Sequence, residues 1–299
     1  MNRAFSKNPP RVLSTVIFAS LVAFVGSAKD TKSAVADAPA EQAEEPVEMV
    51  VGSPPMVSDD TGTPGNRNWE INLVFDGDIS KHSKSFELPL LDINHGIGDR
   101  LQLKYEVPYA VARQTEFDEN GKRTTKKASG VASSIAGVKY RFYDNEQSGL
   151  SLAVYPQIEF RTPGSKLKGE PDEGGEGGVA EEGVTFELPI LLTKEFKGAA
   201  ITANLRAEKE LGDDHVSITA SFGVGTRLTD KLAVMGEIAG HNLNRADEEH
   251  ILLSLGFRLK ISGKQAIMGS AGHDIQTGDG QKHFYVTLAY QRFFQHKKP

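Results

Sequence analysis

The stretch His283-Phe284-Tyr285-Val286-Thr287-Leu288-Ala289-Tyr290-Gln291-Arg292-Phe293-Phe294 decides the fold. Phe284, Val286, Leu288, Tyr290 and Phe294 recur on one parity, while His283, Thr287, Ala289 and Gln291 on the other are small or polar. Alternation with period two makes a strand with one oily and one wet face. Aromatics bracket the aliphatics of the oily face, the order expected where a strand crosses a bilayer and meets two interfaces. Leu288 then faces lipid and Thr287 the interior. A spanning strand needs hydrogen-bonding partners on both sides, so the sheet must close.

The composition permits this. The chain has 299 residues and is 38% hydrophobic, with a mean hydropathy of −0.35. Such a value excludes a bundle of membrane helices, but not a barrel, in which only alternate residues meet lipid. The 30 glycines suit a chain of many turns. No cysteine is present, so disulfides and thiolate metal sites are excluded. The formal net charge of −6 makes a nucleic-acid partner a poor fit.

Arg3, Lys7 and Arg11 precede an apolar run from Val12 to Val25, followed by Gly26-Ser27-Ala28. This is the order of a secretory signal, expected to be cut after Ala28. The run is shorter than the ~20 residues a spanning helix needs. Residues 29–66 are acidic and Ala/Glu/Pro-rich, without periodicity, and are expected to be a disordered periplasmic segment. Its turn-rich end, Asp59 to Gly65, is the part expected to order against the barrel mouth.

Residues 67–294 are expected to form an all-β, closed antiparallel transmembrane β-barrel of about twelve strands, up and down. The strands read 67–76, 85–94, 100–112, 130–143, 149–161, 184–194, 199–210, 215–228, 232–243, 250–260, 265–274 and 282–294. Residues 295–299 form a short basic tail. The connection after the second strand, at His95-Gly96, is tight, as are those after strands four, six, eight and ten. The others, beginning with Gly77 to Lys84, are longer, which places tight turns in the periplasm and loops outside. In this order Trp69, Tyr140, Phe142, Phe257, Tyr290 and Phe294 form a periplasmic girdle. Phe75, Phe86, Tyr109, Phe160, Phe186 and Phe284 form an outer one, while Tyr105 and Phe222 sit mid-band.

Alternation turns the charges inward. Lys139, Arg141, Arg227, Arg258 and Lys260 fall near the periplasmic mouth, Glu106 and Glu237 near mid-height, and Glu87, Glu159 and Glu187 toward the outside. Lys104 and Arg206 share the inward face. These residues either line a conduit with rings of opposite sign or pair to fill a closed lumen; twelve strands lie between filled and open barrels. If the path is open, Glu106 and Glu237 are expected to favour cations. Pro89, Pro108, Pro156 and Pro189 interrupt strands and imply bulges, read as wall curvature or as a constriction or lateral opening.

No catalytic site is expected. His241, His250, His273 and His283 lie toward the outer rim, but no serine-centred motif accompanies them. Ser254 and Ser270 face inward. The acidic, Gly-rich stretch 169–178 has neither EF-hand spacing nor the strand-to-helix context of a phosphate loop. No metal or cofactor is expected. The partners are outer-membrane lipid, the barrel assembly machinery and a small-molecule solute, with the oligomeric state open.

Asp60-Thr61-Gly62-Thr63-Pro64-Gly65, Trp69-Glu70-Ile71-Asn72, Phe86-Glu87-Leu88-Pro89, Tyr105-Glu106-Val107-Pro108-Tyr109, Gly137-Val138-Lys139-Tyr140-Arg141-Phe142 and Tyr155-Pro156-Gln157-Ile158-Glu159-Phe160 carry a resemblance. Over most of residues 58–294 the chain resembles the MetA-pathway phenol-degradation family of outer-membrane barrels. The resemblance implies a transporter-like barrel in the outer membrane of a Gram-negative bacterium, a passive pore for small molecules, among them small aromatic or apolar compounds. The alternative is a structural or surface-interaction barrel with a closed lumen. No catalytic residues carry over. The tail Gln295-His296-Lys297-Lys298-Pro299 extends past Phe294, where barrels of this kind end on the aromatic that the assembly machinery reads.

Overall fold

A computed structural model describes residues 56–117, 123–165, 168–169 and 183–296. The expected signal region at residues 1–28, residues 29–55, most of the acidic stretch 169–178 and residues 297–299 lie outside the described residues.

Fifteen strand segments make one sheet: β1 (Trp69–Ile79), β2 (Ser83–Ile97), β3 (Leu101–Phe117), β4 (Arg123–Val131), β5 (Ser133–Asn145), β6 (Leu150–Val154), β7 (Gln157–Arg161), β8 (Lys168–Gly169), β9 (Val184–Phe196), β10 (Ala199–Glu210), β11 (Ser217–Arg227), β12 (Leu232–His241), β13 (His250–Ser262), β14 (Gln265–Thr277) and β15 (Phe284–Phe294). β4 and β5 are one stave broken at Ala132, and β6 and β7 are one stave broken at Tyr155-Pro156. The two-residue β8 only extends β4, through Ala128 and Ser129. The result is a closed antiparallel barrel of twelve staves. The opening stretch closes it: β15 runs against β1 from Trp69↔Phe294 to Ile79↔Phe284, joining the last stave to the first.

The two faces follow the alternation. Leu253, Leu255, Phe257 and Leu259 on β13 point outward and are exposed, while Leu252, Ser254 and Arg258 between them are buried. Leu288 is 51% exposed, and Thr287 lines the lumen. An apolar outer surface on a closed barrel is stable in lipid, not in water. The aromatics Trp69, Tyr140, Phe142, Phe257, Tyr290 and Phe294 are all exposed, as are Tyr109, Phe186 and Phe284. Phe75 and Phe86 stack at 6.1 Å between centroids, and Phe160 is half-buried. Mid-band Tyr105 directs its hydroxyl to Ser134 Oγ at 3.1 Å.

Three local expectations need correction. The first long-side connection is a tight turn at 80–82, closed by Ser80 N donating to Ser83 O at 2.8 Å, rather than a loop from Gly77 to Lys84. The turn after β2 lies at 98–100, beyond His95-Gly96, because β2 continues to Ile97. The phase of β2 also changes at Leu88-Pro89. The register slips between Glu87 and Leu90 against β3, and between Val74 and Asp76 against β1. An extra residue at a bulge exchanges faces beyond it. Leu90, expected on the oily face, therefore lines the lumen, and Asp92 follows it inward.

The other prolines meet the same side of the wall. Pro108 O accepts Ala132 N across the β4/β5 break, and Pro156 O accepts Val138 N, each at 3.0 Å. Pro189 leaves β9 continuous, and its carbonyl accepts Tyr155 N at 2.9 Å.

Candidate functional site

The lumen has two unlike ends. At the end of the short turns it is filled by the chain's own residues 56–63, which precede the first strand. The expected disordered segment, drawn to residue 66, is thus ordered from residue 56 onward.

The path of this segment is set by backbone donors meeting inward side chains. Val57 N and Ser58 N donate to the Glu237 carboxylate at 3.1 and 2.5 Å, and Ser58 Oγ meets Ser221 Oγ at 2.9 Å. Lys139 Nζ reaches the Asp59 carboxylate at 3.0 Å and Asp60 O at 2.8 Å. Thr61 N donates to Thr193 Oγ1 at 3.1 Å, and Thr61 Oγ1 meets Ser151 Oγ at 2.5 Å. Met56 packs on Ala200 and Met235. At the mouth, Thr63 Oγ1 donates to Asp99 O at 3.0 Å, and Gly65 lies so close to Gly96 that a Cβ there would sit 1.9 Å from the Gly65 carbonyl. Glycine at 96 is what lets the segment turn into the barrel.

Lys139 and Glu237, each 3% exposed, are the charged anchors. An ion pair of this burial is offset by its own desolvation unless its remaining polar groups are satisfied, as the Asp60 carbonyl does for Lys139. Burial pushes the Asp59 carboxyl above its ordinary range, with Lys139 pulling the other way. The Lys139 ammonium also lies 4.8 Å over the ring of Tyr155, which is 2% exposed, and Lys104 lies 5.7 Å from that ring. Tyr155 is thus the aromatic floor between the filled end and the rest of the lumen. Alternation across the Pro156 break turned it inward, a signal present in the sequence but overlooked.

Toward the long loops the lumen opens into a cavity of about 690 Å³. Glu87, Lys104, Glu106, Glu159, Glu187 and Arg206 all line it. Glu237 does not, because the segment caps it, which overturns its expected place as a mid-height lining acid. Lys104 pairs with Glu106 at 2.5 Å, and Arg206 with Glu187 at 3.1 Å. Asp76 lies across from Glu87 in the β1–β2 pair and accepts Thr287 Oγ1 at 3.0 Å.

The basic residues of the turn end are dispersed rather than ringed. Arg258 is buried among Gln291, Met268 and the field of Glu70. Arg141 serves the turns, bonding Asp99 O at 2.7 Å and Asp144 at 3.2 Å, and Arg227 is exposed at the strand end. At the other rim His283 meets Asp78 at 2.7 Å, while Asp274 accepts His283 N at 2.9 Å and lies 3.7 Å from His250. These contacts tie β1, β13, β14 and β15 together at the loop end.

No family model and no curated protein matches the chain. Among solved structures, the crystal structure of an outer membrane channel from Pseudomonas putida F1 superimposes with a TM-score of 0.61 at 14% identity, covering 79% of this chain and 98% of that one. The KdgM porin gives 0.45 at 10% identity, covering 75% of this chain and 99% of its own. The first likeness establishes the fold as that of a closed outer-membrane-type barrel.

Proposed function

We propose that the chain is a passive outer-membrane channel for small solutes, with a preference for cations, and that residues 56–63 narrow its periplasmic end. The observation that carries this reading is the open, acid-lined cavity inside a barrel whose outer surface is apolar. Eight carboxylates line it among the described residues, against Lys104 and Arg206 as fixed cations. Acid along a narrow aqueous path favours cations. The signal-like N-terminus supports export, and the girdled aromatics support a bilayer. The turn end then faces the periplasm, where the leader would return from the barrel mouth.

Glu106 remains a selectivity residue in this reading, but one partly neutralised by Lys104. Purified protein in a planar bilayer under a potassium chloride gradient should give a reversal potential of the sign for potassium. Glu106→Gln should reduce it. Absence of conductance above background would favour the closed structural barrel.

A second reading, passage of small aromatic or apolar compounds, follows from the resemblance to the phenol-degradation family. It is favoured by the apolar side chains Leu252 and Met268 on the cavity wall.

A further inference from the structure

A row of basic side chains crosses the outside of the wall near the loop end. Lys84 on β2 pairs with Arg113 on β3, and Arg113 pairs with Lys127 on β4. All three are exposed. They hold the outward parity of their staves: Ser83 and Glu87 on β2 line the lumen, and Ala112 and Ala128, beside Arg113 and Lys127, are buried. Side chains directly opposite on neighbouring strands have Cβ atoms about 4.5–5.5 Å apart, and like charges so placed destabilise the pair. Here two such pairs follow in succession, and none of the three side chains has an ion-pair or hydrogen-bond partner among the described residues. Lys209 on β10, opposite the outward Phe186, is by contrast spent on Asp213 O.

A second observation lies in what borders the row. Toward the middle of the barrel come Phe86, stacked on Phe75, then the exposed Val111 and Tyr109. Toward the loops come Thr115 and Thr125, paired with each other on the same outward face. Along β2–β4 the order is therefore apolar wall, cations, hydroxyls. Followed the other way around the barrel the row turns apolar, with Ile79 opposite Lys84 and Phe284 opposite Ile79. Aromatic side chains of a membrane protein sit at the headgroup level, and basic residues beside them attract anionic lipid.

We infer that the outer face of β2–β4 binds a phosphorylated glycolipid of the outer leaflet. Its phosphate lies among Lys84, Arg113 and Lys127, its acyl chains run along Phe86, Val111 and Tyr109, and its sugar meets Thr115 and Thr125. Arginine offers phosphate oxygens a bidentate fork, and lysine a point charge. A phosphate monoester carries about −1.5 to −2 charge at pH 7, more than the diester of an ordinary phospholipid, and so answers more of the unneutralised row. Threonine hydroxyls both donate to and accept from sugar hydroxyls. This inference rests on reading the chain as an outer-membrane barrel with its long loops outside, and it adds a site on the wall that is separate from the lumen.

Native mass spectrometry of the detergent-purified full chain tests it, with diphosphoryl lipid A, its fully dephosphorylated form and phosphatidylglycerol offered at equal concentration. Diphosphoryl lipid A should be retained several-fold more than either of the others. Arg113→Gln and Lys127→Gln, made separately, should each cut that retention several-fold, while Lys209→Gln leaves it unchanged. Heat-modifiable migration reports that each variant forms its barrel. Phosphatidylglycerol or the dephosphorylated lipid retained as well as diphosphoryl lipid A, or retention indifferent to both substitutions in the row, would overturn the inference. The bilayer measurement is separate: a conducting barrel that does not select diphosphoryl lipid A loses this inference alone. A barrel that binds it through these residues without conducting loses the channel reading alone.

Discussion

The two ends of the lumen are built from the same staves by the same alternation, yet one is filled and the other open. At the turn end the inward groups Glu237, Lys139, Thr193, Ser151 and Ser221 are all used by residues 57–61. At the loop end Asp76, Glu87 and Asp92 face a cavity. The difference teaches that inward polarity does not by itself make a conduit. A lumen of this width can be occupied by a single extended segment, and whether it conducts depends on how firmly that segment is held. Hydrogen bonds to charged groups contribute about 1.5–3 kcal/mol each, so the anchoring at Glu237 and Lys139 is strong but finite.

Because the chain has no cysteine, Ser58→Cys provides a single reporter inside the filled end and Ser83→Cys one at the cavity. In the parent barrel the first should react slowly with a charged maleimide and the second fast. Gly96→Val should give the largest change, because its Cβ would collide with the Gly65 backbone. Labelling at position 58 should accelerate by well over tenfold, with position 83 unaffected. Unchanged labelling at 58 would mean that the entry of the segment does not depend on that close approach.

Glu237→Ala should come next. It removes the acceptor of two backbone N–H groups, a loss of about 0.5–1.5 kcal/mol per bond once water takes the place of the carboxylate, and should speed labelling at 58 about tenfold. Glu87→Gln should do the reverse of both: leave labelling at 58 alone and lower the potassium-to-chloride permeability ratio, since acids along a pore favour cations. If Glu87→Gln exposes position 58, the two ends are not independent.

The smallest effect is that of pH. The docked segment raises the pKa of Asp59 above its ordinary value of 3.8. Docking therefore takes up a proton. It is most favoured below that value and weakens as pH rises through the raised one. Conductance should rise from the acid toward the alkaline end of a pH series, and Asp59→Asn should flatten the rise. A steeper rise in the variant would assign the titration to the cavity acids instead.

Much of this was legible before any coordinates. Period two along β3, β9 and β10 placed Lys104, Glu106, Glu187 and Arg206 on the lumen wall, and the pairing of β15 with β1 followed from one amphipathic strand. What alternation could not carry was phase across an irregularity. The bulge at Leu88-Pro89 moved Leu90 and Asp92 inward; Pro89 marks the irregularity, but a residue type does not say whether the phase slips there. The filled end was hidden for a different reason. Residues 56–63 have no periodicity, and half of the bonds that hold them are made by their own backbone N–H and C=O, which every sequence possesses. Only the turn-rich composition of 59–65 hinted at order there. Gly96, the position that admits the segment, read simply as a turn residue.

Single-channel conductance of the mature chain, set beside that of the same chain lacking residues 56–63, tests the central claim most directly. The account predicts low conductance in the first and a several-fold larger, still cation-preferring conductance in the second. Equal conductance in the two, or silence in both, would contradict it.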